Sequence, residues 1–178
     1  NPPAELNEDY IQDISLSAIL HDIGKVGIAD AILLKPGKLT PQEFEQIKAQ
    51  PVIGGQVLRS LLEYAPQCTF IQMGRDIASG HHEKWDGSGY PLGLKGEDIP
   101  LSARIVALVD VYDALTSPRC YKRPFSHQEA IDLIIEGKGQ HFDPELVDCF
   151  IEIHQDFEVL SKASLDDAYQ PMAQPTMV

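Results

Sequence analysis

The sequence has few cysteines, no long apolar run and no recognisable export signal. Its 178 residues include three cysteines, Cys68, Cys120 and Cys149, which are far apart and form no C-x-x-C pair. This spacing favours reduced thiols in a cytosolic compartment. No apolar run approaches the ~18 residues of a membrane span, and no basic-then-apolar signal peptide begins the chain. We therefore expect a cytoplasmic protein without a membrane span.

Basic residues are also scarce. Fourteen Lys and Arg stand against 27 Asp and Glu, which gives a formal net charge of -13. This balance argues against a wide basic surface for duplex nucleic acid. It still allows a small anionic ligand, because a local cluster of Lys, Arg and metal can override the mean field. A hydrophobic content of 43% is sufficient for one compact domain.

Apolar residues recur at helical spacing along most of the chain, and no alternating strand pattern competes. Thr40 with Glu43, and Ser126 with Glu129, are capping-box signals that predict helix starts. Residues 83–100 contain four glycines and two prolines and predict a long ordered loop. We predict an all-α fold with one domain over residues 1–158 and a tail or partner-docking segment at 159–178.

One short motif carries three kinds of charged or metal-binding group. The segment from His21 to Lys25 reads His-Asp-Ile-Gly-Lys and follows an apolar helical pattern over residues 10–19. A divalent metal needs nitrogen and oxygen ligands that converge, and a phosphate ester beside it needs a cation. This motif alone does not distinguish a metal site from a solvated polar helix end.

Two further motifs lie downstream. Residues 81–91 read His-His-Glu-Lys-Trp-Asp-Gly-Ser-Gly-Tyr-Pro, and residues 110–116 read Asp-Val-Tyr-Asp-Ala-Leu-Thr. Asp110 is informative because it interrupts an apolar helical stripe, and a buried unpaired carboxylate is costly. Asp113 suits a hydrogen-bonding or surface role better than a ligand role.

Together the three motifs resemble the HD-GYP family, a branch of the HD metal-dependent phosphohydrolases, over about residues 13–151. The resemblance implies an HD-type helical bundle with a long ordered GYP loop. It also implies a phosphodiesterase that hydrolyses cyclic di-GMP to linear pGpG and in many cases to GMP. Two divalent metal ions are implied as cofactors, most often iron or manganese, with nickel, zinc or magnesium as alternatives.

The resemblance also implies roles for single residues. The implied metal ligands are His21, Asp22, His81, His82 and Asp110, with Asp22 bridging the two ions. The implied reaction is metal-assisted hydrolysis without a covalent protein nucleophile, in which Asp22 and Lys25 are the catalytic residues. The implied substrate-binding residues are Lys25, Gly89, Tyr90, Arg119 and Lys122. For Arg119 and Lys122, a plain solvated loop is an equally good interpretation.

The sequence departs from the family pattern in two places. The family motif H-P-x-x-G reads Gln-Pro-Val-Ile-Gly from Gln50, so a neutral amide occupies a metal-ligand position. Residues 1–20 contain no histidine, so we expect the domain to lack the family-typical first helix, which supplies another ligand.

Three functions therefore stay open. The first is the cyclic di-GMP phosphodiesterase. The second, favoured by Gln50, is a catalytically degenerate domain that binds a cyclic dinucleotide or a signalling partner, such as a GGDEF-domain protein, through the GYP loop. A more general HD phosphohydrolase of nucleotides is the third. The family also implies an upstream receiver or other sensory domain.

Overall fold

Helices account for all the regular secondary structure described in this protein. The structure is a computed structural model that describes residues 6–118 and 123–168. Within those residues, α-helices are joined by loops and short 3-10 turns, and no β-strand is present. The helices are α1 (Glu8–Ser17), α2 (Asp30–Leu33), α3 (Pro41–Ile47), α4 (Gln50–Leu62), α5 (Thr69–Gly80), α6 (Leu101–Thr116), α7 (His127–Glu136) and α8 (Pro144–Ala168). The predicted all-α fold is confirmed.

Helix starts follow local hydrogen-bonding chemistry. At α3 the Thr40 hydroxyl accepts from the backbone N–H of Glu43, and the Glu43 carboxylate accepts from the N–H of Thr40 at 2.6 Å. Ser126 and Glu129 make the same reciprocal pair at α7. Each box satisfies donors that the first helical turn leaves without partners. Both predicted capping boxes are confirmed.

Helices α4 and α5 pack closely because α4 carries two adjacent glycines. A Cβ atom at Gly55 would lie 2.3 Å from the Ser79 hydroxyl, and one at Gly54 would lie 3.2 Å from the Ala78 Cβ. Side chains of both helices, including Leu58 and Ile77, are fully buried. This close approach brings the start of α4 near the end of α5.

Helices α6, α7 and α8 surround a second apolar core. Its buried members are Leu108, Tyr112, Ala130, Ile131, Ile134, Phe142, Val147 and Phe150. Helix α6 packs against α5 as well as against α7 and α8, so it is shared by both halves of the bundle.

The segment from residue 83 to residue 100 is the GYP loop. The buried carboxylate of Glu83 accepts hydrogen bonds from the backbone N–H groups of Leu92 at 2.7 Å and Leu94 at 3.1 Å. The N–H of Trp85 donates to the carbonyl of His141 at 3.1 Å. These bonds fix the loop to itself and to the chain before α8, as the prediction of a long ordered loop requires.

Helix α8 continues across residue 158 to Ala168. The predicted boundary between a domain and a tail therefore falls inside this helix and stays a prediction, and residues 169–178 lie outside the described residues. Cys68 and Cys149 are free thiols, and Cys120 lies outside the described residues. In the described part of the chain, none of the helices is both long and apolar enough for a membrane span.

Candidate metal centre

Four elements bring the predicted ligands together. His21 and Asp22 lie between two short 3-10 turns after α1, Gln50 begins α4, His81 and His82 follow α5, and Asp110 lies on α6. The ring centroids of His21 and His81 are 5.3 Å apart, and those of His81 and His82 are 4.0 Å apart. Side chains that are up to 89 positions apart in the sequence (21 to 110) therefore form one cluster.

Two of the imidazoles are oriented by backbone carbonyls. The Nδ1 atom of His21 lies 2.7 Å from the carbonyl oxygen of Ala18, and the Nδ1 atom of His81 lies 2.9 Å from that of Ile77. Because a carbonyl only accepts, each Nδ1 carries the hydrogen and each Nε2 is directed elsewhere. The Nε2 atom of His81 is buried and has no hydrogen-bond partner among residues 6–118 and 123–168. This arrangement is typical of histidines that ligate a metal through Nε2.

The Nε2 atom of His21 is directed at two carboxylates. It lies 3.2 Å from Oδ2 of Asp22 and 3.7 Å from Oδ1 of Asp110. The hydrogen bond with Asp22 raises the pKa of His21. Burial raises the pKa of Asp22, but hydrogen bonds from His21 and Lys25 lower it by more, so the net pKa lies well below its usual range. The carboxylates of Asp22 and Asp110 thus favour a positive charge beside them, at the position of His21 Nε2.

Lys25 supplies one such charge. Its ammonium group contacts Oδ2 of Asp22, and its side chain is 52% exposed. Lys25 is therefore held by the carboxylate on one side and open to solvent on the other.

His82 differs from the other two imidazoles. Its Nε2 atom lies 3.0 Å from Oε1 of Gln50, and its ring stacks on Tyr90 with centroids 4.9 Å apart. Burial, together with the neighbouring His81, lowers the pKa of His82 to about 3. Burial also raises the pKa of Tyr90, with smaller contributions from Asp22 and Asp110.

The donor set has the chemistry for a divalent ion, although the predicted ligand atoms do not converge on one point. Within residues 6–118 and 123–168, no group of three or more His, Cys, Asp and Glu side chains is already arranged to hold a metal. Lys25 and Gln50 take up the oxygens of Asp22 instead. Among the described residues, Nε2 of His81 has no partner that a bound ion would displace. Nε2 of His21 and Oδ2 of Asp22 lie 3.2 Å apart, which is a suitable separation for two atoms that each lie about 2.1 Å from the same metal.

The remaining predicted site residues lie in different surroundings. Gly89 packs against its own loop, because a Cβ atom there would lie 2.3 Å from the backbone nitrogen of Lys84. Tyr90 borders the cluster through its contact with His82. Arg119 and Lys122 lie outside the described residues.

A groove runs beside the cluster. It has a volume of about 350 Å³, lies between α1 and α6, and is lined by apolar side chains together with Ser15, His21, Asp110 and Asp113. One side of the predicted metal site is therefore open.

Sequence reasoning did not single out Glu83. This residue directly follows the histidine pair, is 2% exposed, and binds two backbone N–H groups of the GYP loop. A loop with many backbone donors needs buried acceptors. The position of this carboxylate directly after the two histidines was the sequence feature that could have identified Glu83 as such an acceptor. Glu83 ties the predicted ligands to the loop.

Comparison with known proteins agrees with this geometry. The family model described as "HD domain" matches residues 4–146. A cyclic di-GMP phosphodiesterase of Vibrio cholerae is 49% identical over 163 residues, which cover 92% of this chain and 33% of that protein. A cyclic di-GMP phosphodiesterase of Thermotoga maritima is 42% identical and covers 91% of this chain and 43% of that protein. A 3'3'-cGAMP-specific phosphodiesterase of Vibrio cholerae is 43% identical over 92% and 30% of the two chains.

A solved structure agrees in fold. The crystal structure of a cyclic GMP-AMP-specific phosphodiesterase of Vibrio cholerae superposes with a TM-score of 0.64 at 23% identity, over 96% of this chain and 45% of that one. The chain spans less than half the length of each of these relatives. Because the family match covers most of the sequence, and because its motifs and relatives are those of the HD-GYP branch, the chain belongs to the HD domain family.

Proposed function

We propose that this domain is a metal-dependent phosphodiesterase that hydrolyses cyclic di-GMP to linear pGpG, with GMP as a further product. The observation that carries the proposal is the meeting of His21, Asp22, His81 and Asp110, with the Nε2 atoms of both histidines free of backbone partners. The names of the relatives support cyclic dinucleotides as the substrate class.

These four residues would hold a divalent ion, and the two-ion arrangement of the resemblance would add His82. Imidazole and carboxylate ligands suit iron or manganese, with nickel, zinc or magnesium as alternatives. A bound ion would act as a Lewis acid toward a phosphate and lower the pKa of a water molecule.

Lys25 is the residue of this chain that we assign to the phosphate. Its ammonium now neutralises Asp22. An ion on Asp22 would take over that role and leave Lys25, already half exposed, to donate to a phosphoryl oxygen. Charge that builds on that oxygen during hydrolysis would be offset by the ammonium.

Tyr90 and its neighbours in the GYP loop form one side of the proposed substrate-binding site. Tyr90 stacks on His82 and lies beside Phe44, with ring centroids 6.4 Å apart. We assign it to contact with a base or phosphate of the ligand, next to Gly89. Arg119 and Lys122 would bind ligand phosphate or guanine, Arg through a fork of donors and Lys as a point charge.

Turnover of cyclic di-GMP and of 3',3'-cGAMP by the manganese- or iron-loaded protein tests the proposal. We expect the wild type to cleave cyclic di-GMP faster, and Asp22→Ala to abolish cleavage. Faster cleavage of 3',3'-cGAMP would instead identify that compound as the preferred substrate. Absence of cleavage of either compound in a metal-loaded wild type would contradict the enzyme assignment.

Gln50 favours a second function, a degenerate domain that binds without hydrolysis. Its amide spans Asp22 and His82, two of the implied metal ligands. On this alternative, calorimetry detects binding of cyclic di-GMP, or of a GGDEF-domain or other signalling protein at the GYP loop, and only Gln50→His has turnover. The response-regulator name of one relative supports an upstream receiver domain in the whole protein.

A further inference from the structure

Every polar atom of the Gln50 side chain is engaged. Its Nε2 group lies 3.0 Å from Oδ1 of Asp22 and 3.2 Å from the carbonyl oxygen of His21, and its Oε1 lies 3.0 Å from Nε2 of His82. The residue is 2% exposed, so water does not compete for these bonds. Gln50 is therefore built into the predicted metal centre rather than left beside it.

The partners of Gln50 allow one orientation of its amide. A main-chain carbonyl only accepts hydrogen bonds, so the NH₂ end must face His21 and Asp22. The opposite orientation would place Oε1 against two acceptors and leave a buried donor without a partner, which costs about 1–3 kcal/mol. The carbonyl end of the amide therefore faces His82.

This orientation fixes the hydrogen on His82. Because Oε1 of Gln50 only accepts, the nitrogen 3.0 Å away must donate, and Nε2 of His82 carries the hydrogen whatever the charge of the ring. A nitrogen that carries a hydrogen has no lone pair for a metal. His81 is the reverse case, since its Nδ1 donates to Ile77 and its Nε2 is without a partner in the part of the chain that the structure describes.

We propose that Gln50 holds Nε2 of His82 as a hydrogen-bond donor, which keeps that nitrogen from binding a second ion and restricts this centre to a single divalent ion, held by His21, Asp22, His81 and Asp110. The proposal rests on the metal site of the proposed function but not on turnover. It replaces the two-ion arrangement that the resemblance implies. Gln50 is then a positioning residue that sets the number of ions.

The tautomers of the metal-free protein provide the first test. Long-range ¹H–¹⁵N NMR spectra of the histidine side chains, assigned with His81→Gln and His82→Gln, show which ring nitrogen is protonated. We expect the hydrogen on Nδ1 in His81 and on Nε2 in His82. A hydrogen on Nδ1 of His82, with a bare Nε2, would overturn the proposal.

Metal counting provides the second test. The wild type and Gln50→His are loaded with Mn²⁺, dialysed, and analysed for metal per chain and by EPR. We expect one ion and an uncoupled Mn²⁺ spectrum in the wild type. In Gln50→His we expect two ions and an exchange-coupled spectrum, because the variant supplies a ligand and releases His82.

Matched histidine variants separate the two roles. In the wild-type background, His81→Gln should lower Mn²⁺ affinity by about 10-fold or more, whereas His82→Gln should leave one ion bound. In the Gln50→His background, His82→Gln should return the count from two to one. Two ions in the wild type, or loss of the single ion in His82→Gln, would overturn the one-ion assignment alone. A wild type that binds no Mn²⁺ or Fe²⁺ would instead contradict the proposed metal centre.

Discussion

A buried polar cluster around Glu83 and a partly buried one around His21 lie side by side in this protein, and they are satisfied in opposite ways. Around Glu83, the carboxylate oxygens meet backbone donors of Leu92 and Leu94, so donors and acceptors match within the chain. Around His21, the Nε2 atom faces two carboxylates, and the neighbouring Nε2 of His81 has no partner within the described residues.

The difference indicates which cluster is structural and which is prepared for a ligand. A buried polar group without a partner lowers stability, so it is tolerated where an added group completes it. The Glu83 cluster is complete within the chain, whereas we expect the His21 cluster to be completed by a cation. Substitutions in the two clusters should therefore have opposite consequences, and the variants below test that contrast.

Asp110→Asn is expected to have the largest effect on activity. It removes a carboxylate that faces Nε2 of His21 and that is only partly buried. Turnover of cyclic di-GMP should fall by about 100-fold or more, because a charged side chain of the predicted ligand set is lost. The free energy of unfolding of the metal-free protein should change by no more than about 0.5 kcal/mol. Steady-state kinetics and urea denaturation measure the two quantities.

Asp113→Asn is the matched control for this variant. Asp113 lies one turn further along α6, is exposed, and accepts a hydrogen bond from Ser117. It should leave turnover unchanged. Equal losses in the two variants would show that α6, rather than the ligand, had been disturbed.

Glu83→Gln should act on stability instead. The variant keeps the size of the side chain but sets an NH₂ group against a backbone N–H that now meets a carboxylate oxygen. A buried donor without a partner costs about 1–3 kcal/mol, which urea denaturation measures. Glu97→Gln, an exposed change in the same loop, should be neutral. A fully stable Glu83→Gln variant would remove the contrast between the two clusters.

Gly89→Ala tests whether this glycine serves the loop or the substrate. An added Cβ would lie 2.3 Å from the nitrogen of Lys84 and 2.5 Å from the Cα of Glu83, and both are backbone atoms. Overpacking of this kind costs about 1–3 kcal/mol, so thermal unfolding should begin earlier. Unchanged stability with a raised KM for cyclic di-GMP would assign Gly89 to ligand contact alone.

Glu43→Gln should have the smallest effect, and only as a function of pH. The hydrogen bond from Lys35, followed by those from Thr40, lowers the pKa of Glu43 from 4.5 to about 2. A lowered pKa in the folded state contributes stability that is present above the unfolded pKa and is lost as pH falls through the folded pKa. The urea midpoint of the wild type should therefore approach that of Glu43→Gln as pH falls from 4.5 toward about 2. Parallel midpoints across that range would contradict the pairing.

The sequence was sufficient for features that depend on neighbouring residues. The capping boxes at Thr40 and Ser126 could be predicted because each box is completed within four positions. The all-α fold followed from helical spacing, and the list of ligand candidates followed from motif resemblance. The roles assigned to those candidates stay predictions, and Arg119 and Lys122 lie outside the described residues.

Features that depend on contacts distant in sequence could not be predicted. The engagement of Gln50 with His82 joins residues 32 positions apart, and the sequence identified Gln50 only as a substituted ligand. Likewise, the role of Glu83 depends on the path of the backbone from residue 84 to residue 94. Both depend on which donor meets which acceptor, and spacing alone does not determine that.

Helix α6 connects the apolar core beside α7 and α8 to the predicted metal centre. Asp110 faces His21, while Leu108 and Tyr112, two positions away on either side, are anchored among α7 and α8. A small rotation of α6, caused by a displacement of α8, would change the distance between Asp110 and His21. A change at α8 would therefore reach these two predicted ligands through α6.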